Sequence, residues 1–202
     1  MSRLSQDDQP PVGLRERKKA RTKTAIQEQA LRLFREQGYD ATTVEQIAEA
    51  AEISPSTFFR YFPTKEDVVV WDDYDPMLIE AFHAQPAGLS PIQALRGAVR
   101  DAFGRIPAAE AARLRERTEL TMAVPQLRAA SMANLSYNLR MIGGLVAERV
   151  GREPDDFAVR TFTGAVFGVW LSMIYAWAEN PDADLATSMD EAMAHLEAGL
   201  PF

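Results

Sequence analysis

The sequence contains no cysteine and only two histidines, His83 and His195. Without thiols there is no disulfide framework, no cysteine nucleophile and no cysteine-ligated zinc or iron–sulfur site. The histidines lie far apart and neither stands in an HExxH-type spacing, so a histidine-rich metal centre or a histidine-centred triad has almost no material. We therefore expect no catalytic residue, no metal and no cofactor. Lysine is scarce too, and all four, Lys18, Lys19, Lys23 and Lys65, lie in the first third of the 202 residues. No stretch alternates apolar and polar residues between turn signals, which argues against strands anywhere in the fold. Met1 to Pro11 is polar with no apolar run after it, so no secretory leader is expected and the protein is read as cytoplasmic.

What is present is an ordinary globular composition, 47% hydrophobic and 25% charged, with an uneven charge distribution. The net charge of -7 argues against a phosphate-rich partner, because binding phosphate needs local positive charge. The average hides a division: residues 1–65 hold eleven basic against nine acidic residues, residues 66–202 eleven against twenty. Residues 14–35 alone carry eight basic residues and two acids. Such asymmetry points to a basic module for nucleic acid or membrane joined to an acidic module with another task.

The pattern is helical throughout. A first helix is predicted over residues 14–37, with Ile26, Ala30, Leu31 and Phe34 on one face and Gly38 as its stop. A second starts at Thr43, which forms a capping box with Gln46. A third begins at Ser54-Pro55 and ends near Phe62. A fourth starts after the Thr64 cap and is expected to bend or end at Pro76. Further helices are predicted near 91–105, 108–122, 126–150, 155–179 and 184–198. Residues 1–13 are read as a disordered tail, 14–65 as a helix-turn-helix domain and 66–202 as a ligand-binding and dimerisation domain.

Two short helices joined tightly at Ala51 to Ser54, with a longer helix before them, are the layout of a helix-turn-helix. Helices this short are not stable alone; Phe58 and Phe62, one turn apart, should pack inward and leave the other positions for a DNA groove. From Thr43 to Glu66 the chain reads TVEQIAEAAEISPSTFFRYFPTKE. This resembles the TetR family of transcriptional regulators, whose signature runs T-x-x-x-I-A-x-x-A-G-V-S-x-x-T-x-Y-x-H/Y-F-x-S/T-K-E. The resemblance covers about residues 15–70 and implies an all-α fold: a three-helix DNA-binding domain followed by a helical ligand-binding and dimerisation domain.

By that resemblance Thr43 anchors a phosphate, Ser54, Ser56 and Thr57 open the recognition helix, Tyr61 touches the DNA backbone and Lys65 binds a phosphate. Arg21 and Lys23 of the basic first helix join them. Two departures matter. The family's turn glycine is Glu52, expected in a left-handed conformation at a cost of about 1 kcal/mol. The family's tyrosine is Phe59, which removes a phosphate hydrogen bond, so weight shifts to Arg60 as a reader of base edges.

The acidic remainder is rich in methionine and aromatic residues, more often plain core than pocket but suited to adaptable apolar sites between bundled helices. FFRYFPTKEDVVVWDDYD, Phe58 to Asp75, is similar to a TetR subgroup that includes the mycofactocin regulator, whose members are associated with acyl-CoA ligands. That likeness places an acyl chain among Trp71, Phe103, Met122, Met141, Phe167 and Trp170, with Arg96, Arg100 or Arg140 meeting phosphates; a neutral hydrophobic effector is the alternative. The helix near 155–179 is apolar nearly all round and is expected to be buried on every side, partly by a second copy. The family habit is a dimer, with recognition helices one DNA turn, about 34–36 Å, apart on a palindromic operator.

The functional expectation is a repressor released from double-stranded DNA by a hydrophobic small molecule. Two other readings compete with it. A membrane-associated protein would use residues 161–178 as a span, but the short length and small residues favour a buried helix. An enzyme built on Asp72 and Asp73 is disfavoured, because adjacent helical residues point about 100° apart.

Overall fold

The computed structural model describes residues 14–71, 74–104, 106–180 and 182–201. The expected tail over residues 1–13 and the Asp72–Asp73 pair lie outside them. Every element among the described residues is an α-helix. The chain forms two compact units, one running to Val69 and the other from Val70.

The first unit holds α1 (Leu14–Gln37), α2 (Val44–Ala50), α3 (Pro55–Tyr61) and most of α4 (Lys65–Val70). Ile26, Ala30, Leu31 and Phe34 are all buried, as their spacing on one face of α1 requires. Gly38 ends the helix in the left-handed region (φ +88°), with its N–H donating to the Phe34 carbonyl at 3.0 Å. The remaining interior comes from Ile47 and Ala48 of α2, Phe58 and Phe62 around α3, and Val68 and Val69 of α4.

The second unit comprises α5 (Tyr74–His83), α6 (Pro91–Phe103), α7 (Ala108–Ala123), α8 (Pro125–Ala133), α9 (Leu135–Val150), α10 (Phe157–Glu179) and α11 (Leu185–Glu197). Buried Ile92, Ala94, Leu95, Ala98, Val99 and Ala102 cover more than one face of α6, which packs against α5, α9 and α11. In turn α10 packs against α7, α9 and α11. Around α10's C-terminal end, Arg115 of α7 donates to the carbonyls of Trp177 (2.7 Å), Asn180 and Ala183 (3.2 Å). Each of these carbonyls also accepts a second bond, from Asn180 N–H, Ala183 N–H and the Trp177 indole N–H in turn, so the guanidinium joins the helix end to the corner after it.

Two helix expectations are corrected. The fourth helix ends at Val70 rather than Pro76, which instead sits in the first turn of α5, where a missing N–H is not needed. The helix expected over 126–150 is two helices. They are separated at Asn134, where Asn134 N–H bonds Ser131 O and Tyr137 N–H bonds Asn134 O, each three residues back. Within the chain α10 is covered on part of its surface only, as the expectation that a second copy supplies the rest requires. It is long and apolar enough to cross a membrane by length and composition, yet only 17% of its most apolar window is buried. Its exposed stripe, Thr161, Gly164, Ala165, Gly168, Ser172 and Ala176, consists of small residues at helical spacing.

Between α6 and α11 lies a charged clamp. Arg96 binds Asp190 through two parallel hydrogen bonds (2.9 and 3.2 Å) and reaches Glu197 at 2.6 Å, while Arg100 adds a contact to Asp190 at 3.0 Å. Hydrogen bonding from Arg96 comes first among the causes that hold the Asp190 carboxyl below its ordinary 3.8, against the opposing effect of burial. A lowered folded-state value means that this carboxylate stabilises the fold above its ordinary value, and the benefit disappears as pH falls through the depressed one. Wild type should therefore exceed Asp190→Asn by a constant margin in thermal melts between pH 7 and 5, and the margin should close below pH 3.8. A gap undiminished at the acid end would show that the clamp does not work through this charge.

Candidate nucleic-acid interface

In the α2–turn–α3 segment each end is fixed locally. Thr43 accepts from Gln46 N–H (3.2 Å) and Gln46 Oε1 accepts from Thr43 N–H (2.9 Å), closing the capping box. At the other end of α2, Ile53 N–H reaches Ala48 O at 2.9 Å and Glu52 N–H reaches Glu49 O at 3.0 Å. This is the Schellman closure, which needs a left-handed residue, and Glu52 takes it at φ 54°. Ser54 then caps α3 by accepting from Thr57 N–H at 3.1 Å, and its hydroxyl also meets those of Ser56 (2.9 Å) and Thr57 (3.0 Å).

Packing decides which face of α3 points outward. Phe58 and Phe62 are fully buried, their ring centroids 6.0 Å apart. Consequently Ser56, Phe59 and Arg60 form the exposed face, with Thr57 and Tyr61 half-buried at its edges. Arg60 lies over the Tyr61 ring, 5.4 Å from its centroid. On α1, Lys18, Lys19 and Arg21 are exposed, whereas Lys23 is half-buried with its ammonium 5.2 Å from the Phe62 centroid.

Lys65 has a different setting from an outward phosphate ligand. Its ammonium donates to the carbonyls of Tyr39 (2.9 Å) and Thr42 (3.0 Å) and lies 3.9 Å from the Tyr39 ring centroid. These contacts place it on the loop just before α2. The same loop is held by the Tyr39 hydroxyl, which donates to Glu66 Oε1 at 2.6 Å. Burial first, then this carboxylate neighbour, pushes the Tyr39 phenol up. Burial opposes ionisation of Glu66, but bonds from Tyr39, its own backbone and Thr64 outweigh it and hold the carboxyl low. The Tyr39–Glu66 pair is not legible in the sequence, because its members stand 27 positions apart.

In the second unit, Phe103, Met122, Met141, Phe167 and Trp170 are half-buried against one core, which brings five of the six expected effector-contacting residues onto it. Phe103 sits between Tyr74 (centroids 5.8 Å) and Trp170 (6.2 Å, edge to face). Trp71, half-buried just after α4, is not among the side chains packed there. Arg96 and Arg100 are committed to Asp190 and Glu197, which corrects their reading as phosphate partners; Arg140 is exposed.

A family model of bacterial regulatory proteins of the tetR family matches residues 26–70, and one of the MftR C-terminal domain matches residues 89–201. The chain is 37% identical over 187 residues to the HTH-type transcriptional regulator TcmR of Streptomyces glaucescens, covering 86% of this chain and 80% of that one. The chain belongs to the TetR family. This TetR-family regulator is also 32% identical over 192 residues to the putative mycofactocin biosynthesis transcriptional regulator MftR of Mycobacterium tuberculosis, covering 91% and 93%. Among solved structures, Thermus thermophilus FadR in complex with lauroyl-CoA is similar at 27% identity and a TM-score of 0.56, covering 89% of this chain and 95% of that one. Bacillus subtilis FadR, solved with stearoyl-CoA, shares the fold at 21% identity and a TM-score of 0.59, over 88% and 99%.

Proposed function

We propose that this TetR-family protein is a cytoplasmic, non-enzymatic homodimeric repressor that binds a palindromic operator and is released by a hydrophobic effector. The observation that carries the reading is the outward face of α3, Ser56, Phe59 and Arg60, held rigid by Phe58 and Phe62 and joined in the same unit by the basic α1. Arg60 reads a base edge, while Arg21, Lys23, Thr43, Ser54, Thr57 and Tyr61 contact phosphates. Thr43 accepts within its capping box, which leaves its hydroxyl hydrogen to donate. Lys65 contributes by fixing the loop before α2.

A second copy covers the small-residue stripe of α10, where short side chains let helix backbones approach closely. The effector site lies around Phe103, Met122, Met141, Phe167 and Trp170. An acyl chain fits this lining of flexible methionines and aromatics, and the lauroyl-CoA bound to the Thermus relative supports that choice.

The test is fluorescence anisotropy on a duplex selected from random DNA by the full-length protein at fixed salt. Arg60→Ala should weaken binding by about 5- to 150-fold per half-site, the value of one good base contact, and by the square of that factor on the full palindrome, with its helix content unchanged. Adding lauroyl-CoA should release the wild-type protein. If Arg60→Ala bound the selected duplex as wild type does, the assigned reading face would be wrong.

A further inference from the structure

Resting on that reading of α3, we propose that Phe59 determines specificity by reading the 5-methyl group of a thymine at a fixed position in each operator half-site. Among the described residues of the first unit it is the large hydrophobic side chain left on the surface, 50% exposed. It stands in the middle of the outward face, one turn after Ser56 and next to Arg60. Both neighbours offer hydrogen-bond donors to a base edge or phosphate, and Phe59 has neither donor nor acceptor. Against a phosphate it gains nothing. Across the major groove the base edges present mainly donors and acceptors, and the thymine methyl is the apolar group that protrudes among them, the complement a phenyl ring needs.

The ring is also fixed before DNA arrives. It stands edge-to-face on Phe58, with centroids 5.5 Å apart and planes at 85°, and Phe58 is itself fully buried. A ring buttressed in this way loses little rotamer freedom on docking, so the methyl contact is not offset by ordering. Arg60 stays over Tyr61, so that two adjacent residues of a seven-residue helix offer different readouts: a polar fork for guanine and an apolar face for thymine.

Uracil scanning of the selected duplex tests this, because uracil differs from thymine only in lacking the methyl. Each thymine of one half-site is replaced in turn, and affinities are measured for wild type, Phe59→Ala and Phe59→Leu, with folding followed by circular dichroism. One position should weaken wild-type binding about fourfold per half-site and about fifteenfold when both half-sites are changed, the worth of one buried methyl-sized group. That penalty should vanish in Phe59→Ala and persist in part in Phe59→Leu. A selected operator with no thymine beneath α3, a wild type indifferent to every uracil, or a penalty undiminished in Phe59→Ala each overturns the inference while leaving operator binding intact. Failure to select any duplex overturns the operator-binding reading and this inference with it.

Discussion

Phe58→Ala is expected to weaken operator binding severely by destabilising the first unit, not by removing a contact with DNA. The side chain is fully buried and touches the rings of both Phe59 and Phe62. Truncating a buried phenylalanine costs about 3–5 kcal/mol, a large part of the 5–15 kcal/mol that a whole domain typically has. Because α3 has only seven residues, it has no stability of its own once its inward anchor is gone. Melts followed by circular dichroism should therefore show a first transition lowered by about 12 °C or more. Arg60→Ala, which loses affinity while keeping the wild-type melt, is the contrast. A Phe58→Ala protein that melts as wild type but fails to bind would assign Phe58 to the interface itself.

At the far end of the chain, Trp177→Ala should produce a loss of similar size in the second unit. The indole is 3% exposed, and its N–H donates to the Ala183 carbonyl at 3.0 Å. The Arg115 guanidinium lies 4.2 Å from the ring centroid while donating to backbone carbonyls on both sides of the α10–α11 corner. Removing the ring opens a cavity, costing about 3–5 kcal/mol, and strips Arg115 of the surface that orients it. Trp177→Phe keeps an aromatic face for the cation and loses chiefly one hydrogen bond, about 1 kcal/mol. Urea titrations should rank wild type above Trp177→Phe and Trp177→Phe well above Trp177→Ala. Equal midpoints for the two variants would mean that the indole N–H, rather than packing, holds the corner.

Local chemistry explains why the helix-turn-helix could be read from sequence. Thr43 with Gln46, and Ser54 with the proline after it, mark helix starts through bonds spanning three residues. Phe58 and Phe62 declare the buried face by lying one turn apart. The break at Asn134 was less legible, since a single asparagine between apolar positions leaves the helical period almost unchanged. Lys65 received its phosphate role from the family resemblance alone; its partners within the fold, the carbonyls of Tyr39 and Thr42, are 26 and 23 residues away, too far for sequence to pair them. On α10 the periodicity carried little information because the helix is apolar in most directions. Which side stayed uncovered depended on where α7, α9 and α11 packed. Five of the six residues that the subgroup likeness nominates for an effector share one core, whereas the withdrawal of Arg96 and Arg100 into the clamp with α11 depends on tertiary pairing.

The left-handed Glu52 bears on the order of events as the first unit forms. Glycine visits that conformation freely in an unfolded chain, whereas a residue with a Cβ is disfavoured there by about 1–2 kcal/mol. The turn therefore does not exist as residual structure waiting for its helices. It closes only when Ile53 N–H meets Ala48 O and Ile47, Ala48 and Phe58 are buried together. Neither α2 nor α3, at seven residues each, is stable alone, so the two helices and the turn between them depend on one another. Strain held at Glu52 is thus a cost to the folded unit that the joint packing of both helices offsets.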